Sequence, residues 1–162
     1  VTLKVDAPGG VNPKFDVAGS SPSAYRDISH GRIALGYVSG GQGLVRFSEN
    51  CGETWGDPVS IDLGITVSRL MIWQDEDSKI AHCVAVDTGG DIYHAMSGDD
   101  FATLIEEPHL IVEGANSEAM ATGYTQRGAG GHGTLFVGFV DTGGAKVQYK
   151  SEDLGKTWTE VA

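Results

Sequence analysis

The chain has 162 residues, a formal net charge of −11 and a pI near 4.6, so it lacks the clustered lysine and arginine that phosphate contacts require. This composition excludes nucleic-acid binding, and no apolar run approaches the length of about 18 residues that crosses a membrane. The 24 glycines and 40% hydrophobic residues indicate a loop-rich globular chain with a real core.

Residues 1–20 are predicted to form an N-terminal arm. Two interpretations of this arm stay open. Residues 2–5 could add a strand to a neighbouring unit or protomer, or the arm could be a flexible surface segment with residues 8–10 (PGG) as its hinge.

Three successive units of four β-strands are predicted after the arm, at about 21–64, 65–114 and 115–162. Their strands are expected at 23–28, 32–39, 44–48 and 59–62, then at 67–74, 80–87, 91–97 and 109–113, and finally at 118–125, 134–141, 145–151 and 158–161. The second strand of each unit is apolar at nearly every residue, which is typical of a strand covered on both faces. The best helical candidate, 99–107, is short and ends at Pro108, so the chain is predicted to be all-β.

A short pattern occurs twice, as SENCGETW at 48–55 and as SEDLGKTW at 151–158. In this pattern Ser and Asp or Asn side chains bond local backbone N–H groups, and Gly adopts positive φ, so each copy predicts a tight turn between strands. A third, degenerate and shortened copy is predicted at Ser97 and Asp99, followed by Phe101. The period of roughly 50 residues is in the range of propeller blades. The structural residues are Ser48, Asn50, Gly52, Thr54, Trp55, Ser151, Asp153, Gly155, Thr157 and Trp158.

Other local patterns bear on metals and disulfides. The sequence DTGG at 87–90 and 141–144 predicts hairpin turns, with a metal-binding loop as the less favoured alternative. Cys51 and Cys83 could form a disulfide, or could stay as a turn residue and a buried thiol. The histidines lack the short spacings of zinc ligands, so neither a metal nor a cofactor is predicted.

The two strong copies resemble the Asp-boxes, or BNR repeats, of sialidases and many other β-propeller proteins, with Asn50 in place of the Asp in the first copy. The resemblance implies blades of four antiparallel strands, with each box on the turn between the third and fourth strands, away from the active centre. Three blades do not close a ring. We therefore expect the ring to be completed by a second copy or by missing chain, so that the partner is a homo-oligomer or a larger assembly.

Sialidase chemistry is one functional hypothesis that the resemblance implies. That family uses a Tyr nucleophile, an acid/base Asp and three arginines that hold the substrate carboxylate. Residues 25–28 (YRDI) partly resemble the family's F/Y-R-I-P segment, and Arg69 and Arg127 could join Arg26 near a central pocket. The remaining family residues belong to blades that this chain does not contain, so no catalytic residue is assigned.

Glycan binding without catalysis asks less of the sequence. Aromatic faces for sugar C–H surfaces are expected from Tyr25, Trp73, Tyr93 and Tyr124, although ordinary packing between blades explains each of them as well. Arg26, Arg69, Arg127 and Asp75 are candidates for contacts to hydroxyl groups.

The sequence therefore predicts a non-catalytic propeller module for glycan or receptor binding, or for assembly of an extracellular or viral particle such as a tail or filament. The alternative is a fragment of a sialidase-like glycoside hydrolase. The acidic, glycine-rich and lysine-poor composition suits an extracellular or virion-surface location.

Overall fold

The part of the chain that the structure describes contains short β-strands and no helix. The structure is a computed structural model, which describes residues 19–27, 30–75, 77–115, 133–141 and 143–161, and the backbone of 3–4, 14–15 and 122–126. No helix in these ranges is long and apolar enough to cross a membrane. The strands are β1 (Leu3–Lys4), β2 (Lys14–Phe15), β3 (Ser20–Asp27), β4 (Arg32–Ser39), β5 (Gln42–Ser48), β6 (Val59–Ile61), β7 (Val67–Gln74), β8 (Ala81–Asp87), β9 (Ile92–Ser97), β10 (His109–Val112), β11 (Thr122–Gln126), β12 (Thr134–Val140), β13 (Lys146–Ser151) and β14 (Thr159–Glu160).

The strands form three four-stranded antiparallel sheets in which chain neighbours are sheet neighbours. These are β3–β6, β7–β10 and β11–β14, which we call blades 1, 2 and 3. This meander is the blade architecture of a β-propeller, so the predicted fold class is confirmed. In the N-terminal arm, β1 pairs with β2 in a separate two-stranded sheet, with Leu3 opposite Phe15.

Serine side chains join the first strands of blades 1 and 2. The Leu70 backbone N–H donates to Ser21 Oγ (3.2 Å), and the Ile72 N–H donates to Ser23 Oγ (2.9 Å). Both serines are partly buried and alternate along β3 with exposed residues, so they lie on the opposite face of the strand from those residues. The hydroxyls therefore satisfy backbone N–H groups at the edge of β7. Without these hydrogen bonds, burying the N–H groups of a sheet edge would cost free energy.

Two apolar clusters fill the spaces between adjacent blades. Strand β8 belongs to both, because Cys83 and Ala85 pack in the cluster with blade 1 and Val84 and Val86 pack in the cluster with blade 3. The prediction of a strand covered on both faces is confirmed for β8, which is buried from Ala81 to Val86. It is wrong for β12, which alternates between buried and partly exposed residues because only one of its faces meets blade 2.

Aspartate-capped hairpin turns join the second and third strands of blades 2 and 3. Asp87 Oδ1 accepts from the N–H groups of Gly89 (2.7 Å) and Asp91 (2.9 Å), and Asp141 Oδ1 accepts from those of Gly143 and Ala145. The predicted hairpin turns are confirmed. Each Asp binds its own turn, which is the usual role of Asp at such positions.

Candidate functional site

The loops that follow the third strand of each blade share one hydrogen-bond pattern. We call residues 48–55, 97–104 and 151–158 the outer loops. In each of them a Ser hydroxyl accepts from a backbone N–H four residues on and donates to the Asp or Asn two residues on, whose Oδ1 accepts from the N–H of a Thr. The residues in these roles are Ser48, Asn50, Gly52 and Thr54, then Ser97, Asp99, Phe101 and Thr103, and finally Ser151, Asp153, Gly155 and Thr157.

The sequence indicates a shortened middle outer loop, but the loop in the structure is not shortened. Thr103 lies where Thr54 and Thr157 lie, and it donates its N–H (2.9 Å) and its hydroxyl (2.7 Å) to Asp99. Phe101 replaces the glycine and takes positive φ (63°) while its side chain is 1% exposed in the core. Burial of a large apolar side chain outweighs the backbone strain, which explains why the glycine could be lost here.

An ion-pair cluster lies where blades 1 and 2 meet beside their outer loops. Arg32, at the start of β4, binds Asp27 at the end of β3 through Nε (2.6 Å) and binds Asp100 of the middle outer loop through Nη2. Its guanidinium also covers the Phe47 ring at 4.1 Å from the centroid. We call Asp27, His30, Arg32, Glu49 and Asp100 the junction cluster.

The junction cluster is organised around an arginine. Ligand atoms of Asp27, His30 and Asp100 lie within 4.8 Å of one another, a spacing that could hold a metal ion. The Arg32 guanidinium contacts all three groups, with His30 Nδ1 at 3.2 Å from Nη2, and so supplies the positive charge that these carboxylates need. The geometry therefore favours a structural and binding role for the guanidinium.

Three buried groups near the contact of blades 1 and 2 have shifted pKa values. Burial alone would raise the pKa of Asp27, but hydrogen bonds from Arg32, His30 and Gln74 outweigh it and the pKa is lowered. At Asp75, hydrogen bonds from Ser78 and nearby backbone N–H groups likewise outweigh burial and lower the pKa. Burial, followed by the nearby charges of Asp27 and Asp100, raises the pKa of Tyr25, whose hydroxyl has no partner among the described residues. The two carboxylates are therefore held ionised and the phenol neutral, and all three groups are directed into the protein.

A pair of buried histidines lies between blades 2 and 3. His82 Nδ1 and His94 Nε2 are 3.0 Å apart, and both side chains are fully buried. Trp73 stacks on His82, and Trp158 meets His94 edge-on. Burial lowers the pKa of His82 to about 4, and burial together with His82 and His109 lowers that of His94 to about 3. Two neutral rings that share one hydrogen bond fit a packing role.

The sequence-predicted ligand residues lie on different surfaces of the blades. Arg26 is exposed on the face of β3 that points away from blade 2, whereas Arg69 is partly buried on the face of β7 that Trp73 shares. Trp73 is buried beside the pair of histidines, and Tyr93 lies on the third strand of blade 2. Asp75 is buried in the turn after β7. Only the backbone of Tyr124 is described, and Arg127 lies outside the described residues.

Sequence reasoning missed the junction cluster and the histidine pair. A signal for the cluster was available, because Asp27, His30 and Arg32 lie within six residues of one another in the sequence. His82 and His94 gave no signal, since they lie on different strands and meet only through the register of β8 and β9. Cys51 is exposed and Cys83 is buried, and both are free thiols.

No protein-family model and no curated protein sequence matches the chain. Among solved structures, an α-L-arabinofuranosidase from Podospora anserina matches with a TM-score of 0.62 at 15% identity, over 89% of this chain and 50% of the enzyme. A fucose lectin from Kordia zhangzhouensis, solved in complex with methyl-fucoside, matches with a TM-score of 0.53 at 19% identity, over 88% of this chain and 98% of the lectin. A sialidase from Trypanosoma rangeli matches with a TM-score of 0.52 at 16% identity, over 94% of this chain and 31% of the enzyme.

The chain thus spans about half the length of the arabinofuranosidase and less than a third of the sialidase. At these identities the matches concern the fold alone. The chain is similar in fold to carbohydrate-active β-propellers, including sialidases, glycosidases and a lectin.

Proposed function

We propose that this chain is a non-catalytic β-propeller module that binds glycans. The observation that carries the proposal is the match to the fucose lectin, which spans nearly the whole lectin chain, whereas the enzyme matches span half of the enzyme or less.

A glycan array incubated with the labelled chain tests the proposal. We expect retention of at least one glycan class and no turnover of a fluorogenic sialoside or arabinofuranoside. An array without any retained glycan would contradict glycan binding, and hydrolysis of either substrate would contradict the non-catalytic assignment.

A fragment of a sialidase-like glycoside hydrolase is the second candidate. Its support is the sialidase match, which covers 94% of this chain, together with Tyr25 and Arg26 on the first strand of blade 1. In that case the chain would need further blades to hydrolyse a sialoside. Adding the missing blades in a longer polypeptide and recovering hydrolysis would favour this candidate over a lectin.

We propose further that the outer loops are Asp-boxes and that the ring is completed by a second copy or by a larger assembly, in an extracellular or virion-surface setting. Support comes from blade 3, whose far face carries the partly exposed residues Phe136 and Val140. Light scattering tests ring completion by copies of the chain. We expect a mass that is a multiple of 17.0 kDa, and a stable monomer would contradict completion by a second copy.

A further inference from the structure

We propose that a pocket beside the first outer loop binds a neutral glycan through the Arg32 guanidinium and the Glu49 carboxylate, an inference that rests on the proposed glycan-binding function. The pocket has a volume of about 420 Å³, within the range of about 300–1,000 Å³ that is usual for small-molecule sites. Its walls include Arg32, Phe47, Glu49, Trp55 and Asp57.

Arg32 has an N–H group that is free to donate a hydrogen bond to a ligand in this pocket. Its Nε binds Asp27 and its Nη2 binds Asp100 and His30, whereas Nη1 makes no hydrogen bond to any described residue. Glu49 Oε1 lies 3.6 Å from Nη1. A sugar hydroxyl can accept from a guanidinium and donate to a carboxylate at once, so it matches this donor and acceptor pair.

The Arg32 side chain is also held in place before a ligand arrives. It is 13% exposed, bound by the Asp27 carboxylate, which is itself 1% exposed, and stacked on Phe47. A guanidinium fixed in this way loses little conformational freedom on binding, which improves affinity. Phe47 and the partly buried Trp55 add apolar surface beside the polar pair.

The combination of these residues is not common to the outer loops, because neither of the other two loops has all of it. Phe47 corresponds to Met96 in blade 2 and to Lys150 in blade 3, each of which precedes the loop serine. Glu49 corresponds to Gly98 and Glu152. Glu152 is bound by Lys150 at 2.8 Å, so its carboxylate already has a cationic partner on its own blade. Among the three outer loops, the combination of aromatic, guanidinium and open carboxylate therefore occurs only in blade 1.

The charge around the pocket indicates a neutral ligand. Asp27, Glu49, Asp57 and Asp100 surround the single positive charge of Arg32, so the site carries an excess of negative charge. An anionic sugar such as a sialic acid would place its carboxylate near Glu49 and Asp57, where like charges repel. A neutral pyranoside meets no such penalty.

The experiment compares Glu49→Gln with its matched control Glu152→Gln in the full chain. After the array, the affinities for methyl-fucoside and methyl-galactoside are measured by titration calorimetry, with sialyllactose as the anionic comparison. We expect Glu49→Gln to weaken binding of the preferred neutral glycoside about tenfold or more, the loss typical of a missing charged hydrogen-bond partner. Glu152→Gln should leave that affinity within about twofold of the parent chain. Equal melting temperatures of the two variants would show that Glu49→Gln acts on binding.

Each outcome separates this inference from the proposed function. If the parent chain binds a neutral glycan and Glu49→Gln binds it equally well, the pocket assignment is overturned while the function stands. Preference for sialyllactose over both neutral glycosides would overturn the neutral-ligand assignment. Absence of any glycan binding by the parent chain would overturn the proposed function and this inference together.

Discussion

Gly155 of the third outer loop lies directly against the imidazole ring of His94 in blade 2, so closely that a Cβ atom at position 155 would overlap the ring. Gly155 also has positive φ (88°), and its N–H donates to Ser151. The same glycine therefore closes its own loop and allows blade 3 to pack on the histidine pair.

Replacing Gly155 with Ala should destabilise the protein by about 2–4 kcal/mol, because the methyl group combines a steric overlap with an unfavourable backbone angle. Gly144→Ala is the matched control, since Gly144 has a similar φ (82°) with open space around it. We expect it to cost only about 1 kcal/mol. Urea denaturation measures both values, and equal losses would show that the contact with His94 has no energetic role.

Acid should weaken the blade 2 and 3 interface before it affects carboxylates. The folded-state pKa values of His82 and His94, about 4 and about 3, lie below the unfolded value of 6.5, so the unfolded chain binds protons first as the pH falls. Stability from the pair is thus complete above about pH 6.5 and is lost as the pH falls from that value to about 4 for His82 and to about 3 for His94.

Melting temperatures at pH values from 7 to 4.5 test this loss. A double variant, His82→Gln with His94→Gln, should have a flatter profile than the parent chain in that window. A parent profile that is flat from pH 7 to 4.5 would contradict the prediction.

Phe101→Gly should destabilise the protein by about 3 kcal/mol, although glycine suits the positive φ of that position. Phe101 is buried in the core between blades 1 and 2, and loss of its packing outweighs relief of about 1 kcal/mol of backbone strain. Cys51→Gly is the control, because Cys51 has φ 58° but is exposed, and it should be neutral or slightly stabilising. Thermal unfolding measures both, and a stabilised Phe101→Gly chain would refute the packing argument.

Arg32→Gln should cost about 3–5 kcal/mol, since it leaves the buried Asp27 carboxylate without its main cationic partner. Combining it with Asp27→Asn should recover part of that loss, which a double-mutant cycle by chemical denaturation measures. Lys150→Gln, which removes the exposed partner of Glu152, should change stability by less than about 1 kcal/mol. Additive losses at Arg32 and Asp27 would mean that the two residues do not act as a pair.

The fold was predictable because its evidence is local and repeated. The spacing of Ser48, Asn50 and Thr54 recurs at Ser151, Asp153 and Thr157, and strand periods follow from the apolar pattern. The middle loop was predicted as shortened because Phe101 stands at the position where the other two loops have glycine. Its strain is offset by packing against blade 1, which no local pattern reports.

The site was less predictable because it depends on contacts between blades. Arg32 meets Asp100 only after two sheets pack together, and the other outer loops carry Cys51 and Leu154 at the position of Asp100. Trp73, one of the predicted candidates, has an aromatic ring that could contact a ligand, but in the structure the ring packs on His82. The ligand assignment of Arg26, Arg69 and Tyr93 stays a prediction.

The two blade interfaces carry ion pairs at different depths, and this makes them unequal in their response to salt. The contact of blade 1 with blade 2 includes the buried bridge from Asp27 through Arg32 to Asp100. Blades 2 and 3 meet through aromatic and imidazole rings and through the more exposed ion pair of Lys156 with Glu106. Added salt screens an exposed ion pair more than a buried one. The interface of blades 2 and 3 should therefore be the more sensitive of the two to salt as well as to acid.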